Sequence, residues 1–436
     1  VKVLVVGGGE HALCWALRRD AAAPPSSASL TDLQLFAAPG NPGTAALATN
    51  LPIAATAVAD LTAAVQQHDI DLTIIGPEAP LAAGLADRLR DAGRAVFGPG
   101  ASAARLESSK AFAKEVMRRA GVATPAGVSF VELSPALDYI RSHAEPLVVK
   151  ASGLAAGKGA VVCDTREEAA AVARAMLDGS LGEAGKEILV EEFVTGEELS
   201  VLALTDGEHI LILPPAQDHK RLGEGDTGPN TGGMGAYCPV GIASDSLLTR
   251  VRAEVFEPVL REMAAQGAPY EGVLYAGLML SPAGAPTVLE FNARFGDPET
   301  QAVLPALAPG ISRHFTEIAA GRWKPGSQVL TPAQAAVTTV LAARGYPDHP
   351  EKGVAIRLPS PGELGENVLV FHAGTYRDPD GRLRTAGGRV FSVTGLGADV
   401  PAAARASAAA AEQITFEGKT WRRDIGWREI ERAGAA

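Results

Sequence analysis

Hydrophobic and polar positions fall into three successive patterns along the chain. Through the first hundred residues, short apolar runs alternate with segments of helical period. Residues 1–6, 33–37 and 72–75 predict strands, residues 10–19, 61–68 and 81–92 predict helices, and Val96-Phe97 closes the series. Near-continuous apolar strands joined to helices by short glycine-rich turns predict a doubly wound parallel sheet. From residue 102 the pattern changes. A helix is expected over 102–120, ended by Pro125, then strands at 147–150, 160–163, 188–192 and 199–206 with one helix between them at 166–177. This reads as an α+β unit with antiparallel pairing. A glycine-rich segment, 223–237, precedes a helix at 246–266 and strands at 273–280 and 287–291. Trp323-Lys324-Pro325-Gly326 reads as a linker. Beyond it, strands at 335–342, 368–373 and 389–395 and an alanine-rich helix at 401–414 predict a smaller β-rich unit.

Composition narrows the class. With 436 residues and 47% hydrophobic positions, the chain can bury several cores, which excludes a disordered protein. Asp and Glu (50) outnumber Lys and Arg (39), giving a net charge of −11. That balance disfavours nucleic acid and anionic membranes as partners, while leaving room for a local phosphate pocket. Cys14, Cys163 and Cys238 are scattered and form no Cys-x-x-Cys, so neither a disulfide framework nor a structural zinc is expected. The opening apolar run is too short for a signal peptide, and no apolar stretch reaches the 18 or so residues of a spanning helix. A cytoplasmic location is expected.

Five segments carry candidate chemistry. Gly7-x-Gly9-x-x-Ala12, between strand and helix, lets backbone approach a phosphate. The second strand ends in Ala37-Ala38-Pro39-Gly40, without the acid that would hold a dinucleotide's ribose, so a nicotinamide cofactor is not expected. In Val149-Lys150-Ala151-Ser152-Gly153-Leu154-Ala155-Ala156-Gly157-Lys158-Gly159, a strand ends in a lysine and a three-glycine hairpin returns, suited to covering a polyphosphate. It is one residue short of a Walker A loop. Glu290 and Asn292 share a strand face, an oxygen-donor pair suited to Mg²⁺ that also holds phosphates. Arg294 continues along that face if the strand persists, placed for an anionic substrate. Gln217-Asp218-His219-Lys220-Arg221 and the segment 226–235 read as a long polar loop in which Asp218 could pair with an ammonium. Residues 190–194 read as an edge strand entering a turn at Thr195-Gly196, a backbone able to read an adenine edge, with Glu198 placed for ribose hydroxyls.

Together these residues resemble the ATP-grasp superfamily, and within it the phosphoribosylamine–glycine ligases. Glu10-His11-Ala12-Leu13, Gly76-Pro77-Glu78, Ser109-Lys110-Ala111-Phe112, the 150–159 loop, 217–221, 226–237, 290–301, Phe371-His372-Ala373-Gly374-Thr375, Gly387-Gly388-Arg389-Val390 and Asp424-Ile425-Gly426-Trp427 carry the likeness almost end to end. The family's first glycine loop usually reads Gly-x-Gly-Gly-Arg-Glu-His, two residues longer than Gly7-Gly8-Gly9-Glu10-His11, and an aspartate usually stands where Ser152 does.

The resemblance implies a Rossmann-like unit over 1–104, an ATP-grasp unit over 105–325 with a mobile hairpin lid near 125–195, and a C-terminal unit over 326–436. It implies ligation of glycine to 5-phosphoribosylamine with ATP, through glycyl phosphate, giving glycinamide ribonucleotide, ADP and phosphate in purine biosynthesis. Lys110 and Lys150 resemble phosphate-binding lysines, and Ala155, Gly157, Lys158 and Gly159 the closing loop. Glu191, Phe193, Val194 and Glu198 resemble adenosine contacts. Glu290 and Asn292 resemble ligands for Mg²⁺, with Mn²⁺ as an alternative ion. Gly8, Gly9, Asp218, Arg294, Gly296 and Asp297 are the implied substrate contacts, with Arg294, Asp218 and Lys220 in the reaction itself. A monomer is expected. Another ATP-grasp carboxylate–amine ligase and a nucleotide-binding scaffold without turnover remain as alternatives.

Overall fold

The computed structural model describes residues 1–23, 30, 32–155, 159–179 and 181–435. The opening unit is a five-stranded parallel sheet ordered Thr49–Asn50, Gln34–Pro39, Lys2–Gly7, Leu72–Ile75, Ala95–Phe97. Alternation along its central strand makes it doubly wound. Val3 and Val5 join a core with Leu13 and Leu17 of the helix His11–Ala21 on one side. Leu4 and Val6 join another with Leu61 and Val65 of Val58–Gln67 on the opposite side. Because chain order reverses at the central strand, a crevice opens beyond the carboxyl ends of Lys2–Gly7 and Leu72–Ile75.

Two antiparallel four-stranded sheets follow. One is ordered Gly127–Phe130, Ile188–Glu192, Leu147–Ala151, Ala160–Cys163; the other Ile210–Ile212, Glu197–Thr205, Gly272–Leu280, Pro286–Asn292. The expected edge strand at 190–194 is therefore corrected. Ile188–Glu192 lies between two neighbours, because the unexpected strand Gly127–Phe130 pairs with its far side. That strand and the helix Leu133–Ser142 went unmarked in the sequence; both are short, and Gly127–Phe130 keeps no fully buried residue to reveal its face.

Other expected elements are interrupted for identifiable reasons. The helix over 102–120 breaks into Ala101–Ser108 and Lys110–Ala120, because Ser109 leaves helical geometry and its hydroxyl accepts the Phe112 N–H as an N-cap. The helix over 81–92 divides at Gly84, whose φ is +81°. The glycine-rich segment is not a continuous loop. It folds into the ribbon Arg221–Gly223 with Thr227–Asn230, followed by Gly235–Cys238, which is buried.

Gly235–Cys238 and Gln217–Asp218 complete a sheet whose other strands are Ala335–Ala342, Arg389–Gly397 and Val368–His372, with Val400–Gln413 packed against it. The last unit is thereby woven into the middle of the chain. Among the described residues no helix is long and apolar enough to cross a membrane.

Arg422 ties this weave. Its side chain is fully buried, pairs with Asp226 at 2.8 Å and Asp424 at 2.7 Å, and donates to the Arg221 carbonyl at 3.1 Å. Arg428 takes the second Asp226 oxygen at 2.5 Å. Removing one partner of a buried ion pair strands the others without compensation. Arg422→Ala should therefore lower stability by about 3 kcal/mol, the low end for a broken buried pair because both aspartates keep some solvent. A urea titration followed by fluorescence should show the shift in midpoint.

Candidate active site

The functional side chains gather where the opening sheet, the two antiparallel sheets and the C-terminal unit face one another. A β-bulge sets the first of them. Gly277 pairs with Glu290 and Leu278 with Val288, so Leu289 is the extra residue and its carbonyl is turned out of the ladder. Lys150, reaching from Leu147–Ala151 in the neighbouring sheet, donates to that carbonyl at 3.1 Å and pairs with Glu191 at 2.6 Å. Lys150 and the Glu290–Asn292 strand end thus share one space.

Glu191 is buried and also pairs with Lys114, whose ammonium bonds Thr124 Oγ1 at 2.9 Å. That buried carboxylate is thus paired with two lysines. Its side chain is therefore engaged with lysines in this structure, whereas Phe193, just beyond the strand, is 39% exposed.

Lys110 stands at the first position of Lys110–Ala120. Ser152 fixes that helix end: its carbonyl accepts the Lys110 N–H at 2.8 Å and its hydroxyl the Ala111 N–H at 3.1 Å. Burial, together with Lys150, lowers the Lys110 pKa despite the opposing pull of Glu290. Glu290 itself makes no hydrogen bond or close ion pair among the described residues. Burial would raise its pKa, but Lys220, Lys150, Lys110 and Arg294 outweigh this and hold it ionised. Among the described residues no three His, Cys, Asp or Glu side chains form a metal cage. One ionised carboxylate and the Asn292 amide are nonetheless the donor set that suits Mg²⁺ keeping water and phosphate oxygens as its other ligands.

The strand ends at Asn292, so Arg294 does not continue its face as expected. It turns back. Its guanidinium bonds Asn292 Oδ1 at 3.4 Å, Glu107 at 3.1 Å and Glu78 at 3.4 Å. Glu107, buried, also accepts the Ala293 N–H at 2.7 Å, locking the turn. Across the site Lys220 pairs with Glu198 at 2.6 Å. The Asp218 carboxyl, beside Lys220, is pushed up by burial and by Glu299, Glu198 and Glu290. Glu299 is buried under Gly296 and accepts from Ser200 at 3.1 Å and Tyr275 at 2.7 Å.

A cavity of about 450 Å³ opens beside this cluster, lined by Gly8, Gly9, Thr231, Asp297, Gly374 and Arg389 among others. Arg389 bonds the Asp297 carboxylate at 2.9 Å and the carbonyls of Asp297 and Gly232 at 2.8 and 2.6 Å. Gly9 donates its N–H to Glu10 Oε2 at 2.7 Å. Asn41 braces this turn from below, its amide bonding the carbonyls of Gly8 and His372 at 2.9 Å each.

Of the sequence candidates, Ala155 and Gly159 follow Leu147–Ala151 and precede Ala160–Cys163 respectively, while Gly157 and Lys158 lie outside the described residues. Lys110, Lys150, Lys220, Arg294, Asp218, Glu198 and Glu290 form one electrostatic cluster. Glu107, Lys114, Glu299, Arg389 and Asn41 were not singled out for roles. Only Arg389 and Glu299 lay inside segments already marked, so proximity in sequence could have suggested those two alone.

Comparison with known proteins gives the wider setting. Family descriptions match in chain order: phosphoribosylglycinamide synthetase N domain over residues 1–107, its ATP-grasp (A) domain over 108–300 and its C domain over 336–428. The phosphoribosylamine–glycine ligase of Mesorhizobium japonicum is 45% identical over 436 residues, covering all of both chains. The crystal structure of phosphoribosylamine–glycine ligase from Thermotoga maritima superposes with a TM-score of 0.83 at 36% identity, covering 98% of this chain and 100% of that one. The biotin carboxylase domain of Hydrogenobacter thermophilus 2-oxoglutarate carboxylase, solved with MgADP and bicarbonate, gives 0.71 at 18% identity over 96% of this chain and 91% of that one, a likeness of fold. The two antiparallel sheets are an ATP-grasp fold.

The joint beneath the glycine turn makes a pH prediction. His11 Nδ1 accepts the His372 backbone N–H at 3.0 Å, which requires an unprotonated nitrogen. Burial, then His372, lowers the His11 pKa to about 3; burial, then Arg377, lowers that of His372 to about 4. Both values lie below the usual 6.5, so the neutral pair stabilises the fold fully above that pH. Below it the unfolded chain binds protons the folded chain refuses. Stability should fall by roughly 1.4 kcal/mol per pH unit for each histidine as pH drops from 6.5 towards 4. Urea midpoints at pH 7 and pH 5 should show it, and His372→Gln should flatten the slope.

Proposed function

The chain belongs to the phosphoribosylglycinamide synthetase family, and on that footing we propose the following reading of its site. The protein is an ATP-dependent ligase of purine biosynthesis. A glycine carboxylate oxygen attacks the γ-phosphorus of ATP, releasing ADP and forming glycyl phosphate. The amine of 5-phosphoribosylamine then attacks the glycyl carbonyl and expels phosphate, leaving glycinamide ribonucleotide. The observation that carries this reading is the convergence of Lys110, Lys150, Lys220 and Arg294 on the Glu290 carboxylate, which has no close partner among the described residues.

In this reading Lys110 and Lys150 hold the phosphates from two sides, with Ala155 and Gly159 at the base of the covering hairpin. Gly157 and Lys158 would continue that cover. Glu191 acts on adenosine through the strand it anchors, Phe193 and Val194 flank the ring, and Glu198 faces the ribose. Glu290 and Asn292 would hold Mg²⁺, with Mn²⁺ able to replace it; the ion supplies charge neutralisation at the transferring phosphoryl group. Arg294, fixed by Glu107 and Glu78, presents its guanidinium to glycine's carboxylate. Asp218, beside Lys220, receives the glycine ammonium. Gly8, Gly9, Gly296 and Asp297 line the approach for the sugar phosphate.

Positioning and charge neutralisation account for most of the rate gain in such a transfer, since the protein forms no covalent bond to the phosphoryl group. The spans of the matched family models support dividing the chain near residues 104 and 325. A cytoplasmic monomer without nucleic-acid or membrane partners completes the reading.

ADP release measured with glycine and freshly made 5-phosphoribosylamine tests it. Wild type should release ADP over many turnovers only when both are present. Glu290→Gln, nearly isosteric, should lose about 10²–10⁴ in kcat with its circular dichroism unchanged. ADP release indifferent to glycine would overturn the proposed activity, and near-normal turnover in the variant would remove Glu290 from the ion site.

A further inference from the structure

The carboxyl of Glu10 occupies a place that the reading above leaves unused. It lies in a slot between Gly7 and Gly76, the residues at the carboxyl ends of the two central parallel strands. A Cβ on Gly7 would come within 1.8 Å of Glu10 Oε2, and one on Gly76 within 2.2 Å of its Cγ, so only glycine leaves room for this side chain. One oxygen is anchored on the Gly9 N–H at 2.7 Å. This is the crevice where doubly wound sheets place ligands.

Its neighbours tell which ligands. One charged neighbour is Asp297, which with Gly8, Gly9 and Arg389 lines the 450 Å³ cavity given above to the sugar phosphate. Another is Glu78, ion-paired with Arg294, the residue given above to glycine's carboxylate. Glu10 therefore has a neighbour in each of the two substrate regions assigned above, near where an amine and an activated carbonyl would meet.

Resting on that reading of the site, we propose that Glu10 is the proton acceptor for the second half-reaction. The C–N bond forms between the 5-phosphoribosylamine nitrogen and the glycyl carbonyl carbon. The carbonyl C–O bond to phosphate breaks, and phosphate leaves with that electron pair. The nitrogen gives up one proton to the Glu10 carboxylate, which returns it to solvent after product leaves.

The electrostatics agree with this placement. Burial raises the Glu10 pKa to about 7, with Asp297 and Glu78 adding to the rise and the Gly9 N–H opposing it. The other titratable group facing it is the Cys14 thiol, one turn further along the helix, itself pushed up to about 12 by burial and then by Glu10. A carboxylate near neutrality is a stronger base than an ordinary one, while remaining largely ionised at mildly alkaline pH.

The test uses Glu10→Gln in the full-length enzyme, with three readouts: kcat/KM for 5-phosphoribosylamine, its pH profile from 6 to 9, and the affinity for ribose 5-phosphate, which binds the sugar-phosphate cavity but has no amine. The expected result is a 10²–10⁴-fold loss in kcat/KM, disappearance of the limb near pH 7, and unchanged ribose 5-phosphate affinity. Glu10→Asp should recover part of the rate and restore a limb. Wild-type turnover in Glu10→Gln, or a limb near 7 that survives, would overturn the proposal. So would a parallel loss of ribose 5-phosphate affinity, which would make Glu10 a shaper of the glycine turn only. Glycine-independent ADP release by the wild type would instead sink the activity itself, a separate outcome.

Discussion

A single buried ammonium, that of Lys150, holds the site together. It joins two sheets that have no hydrogen-bonded strand in common, bonding the Leu289 carbonyl on one and the Glu191 carboxylate on the other. Neither partner would be available without an irregularity. The carbonyl is free because a bulge takes Leu289 out of register, and the carboxylate tolerates burial because Lys114 shares it. A buried charge is costly unless paired and hydrogen-bonded, so these features stand or fall together. Their joint result is that the lysine-bearing strand and the Glu290–Asn292 strand end face the same space. In the proposed reading that space holds the nucleotide triphosphate.

Around this contact, carboxylates outnumber cations. Glu78, Glu107, Asp218, Glu290, Asp297 and Glu299 lie close to Lys110, Lys150, Lys220 and Arg294. Burial first, and the neighbouring acids after it, push Glu107 and Asp218 upward, while Glu290, nearest the cations in effect, is held down. It also suits the charges a glycine-activating ligase must receive. In the proposed reading an ammonium and a divalent ion are attracted by the acids, and the phosphates they accompany are met by the lysines. A purely basic pocket would bind phosphate more strongly but give the glycine amine nothing to approach.

Much of this was legible in the sequence because the decisive signals are local. The doubly wound sheet shows in apolar runs that need no distant partner to be recognised, and the glycine-flanked Lys150 and the Glu290-x-Asn292 pair are visible as spacing. What stayed hidden depends on contacts across long stretches of chain. Glu107 sits 186 positions from the Ala293 amide it receives, and nothing around it marks it as more than one polar residue of a helix. The buried strand Gly235–Cys238 looked like loop because its glycines and neighbouring turns dominate the local pattern, whereas its burial is decided by Ala335–Ala342 a hundred residues on. The direction of Arg294 failed for the same reason: the strand's end is set by Glu107 and Glu78, not by its own residues.

The shortened first glycine loop shows how one local change alters the logic of a site. In the longer family pattern, more backbone and an arginine stand between the glycines and the Glu-His pair. Here Glu10 follows Gly9 directly, and its carboxylate takes the Gly9 N–H that a phosphate would otherwise claim. The amide being taken, the proposed reading places the sugar phosphate away from Glu10, towards the opposite wall. Arg389 stands there with its guanidinium spanning Asp297 and Gly232, at the seam between the C-terminal unit and the strand end. The weave of Gly235–Cys238 into the C-terminal sheet then acquires a mechanical meaning. It fixes Arg389 relative to Asp297, so that a cavity wall drawn from the far end of the chain keeps register with a turn drawn from its beginning.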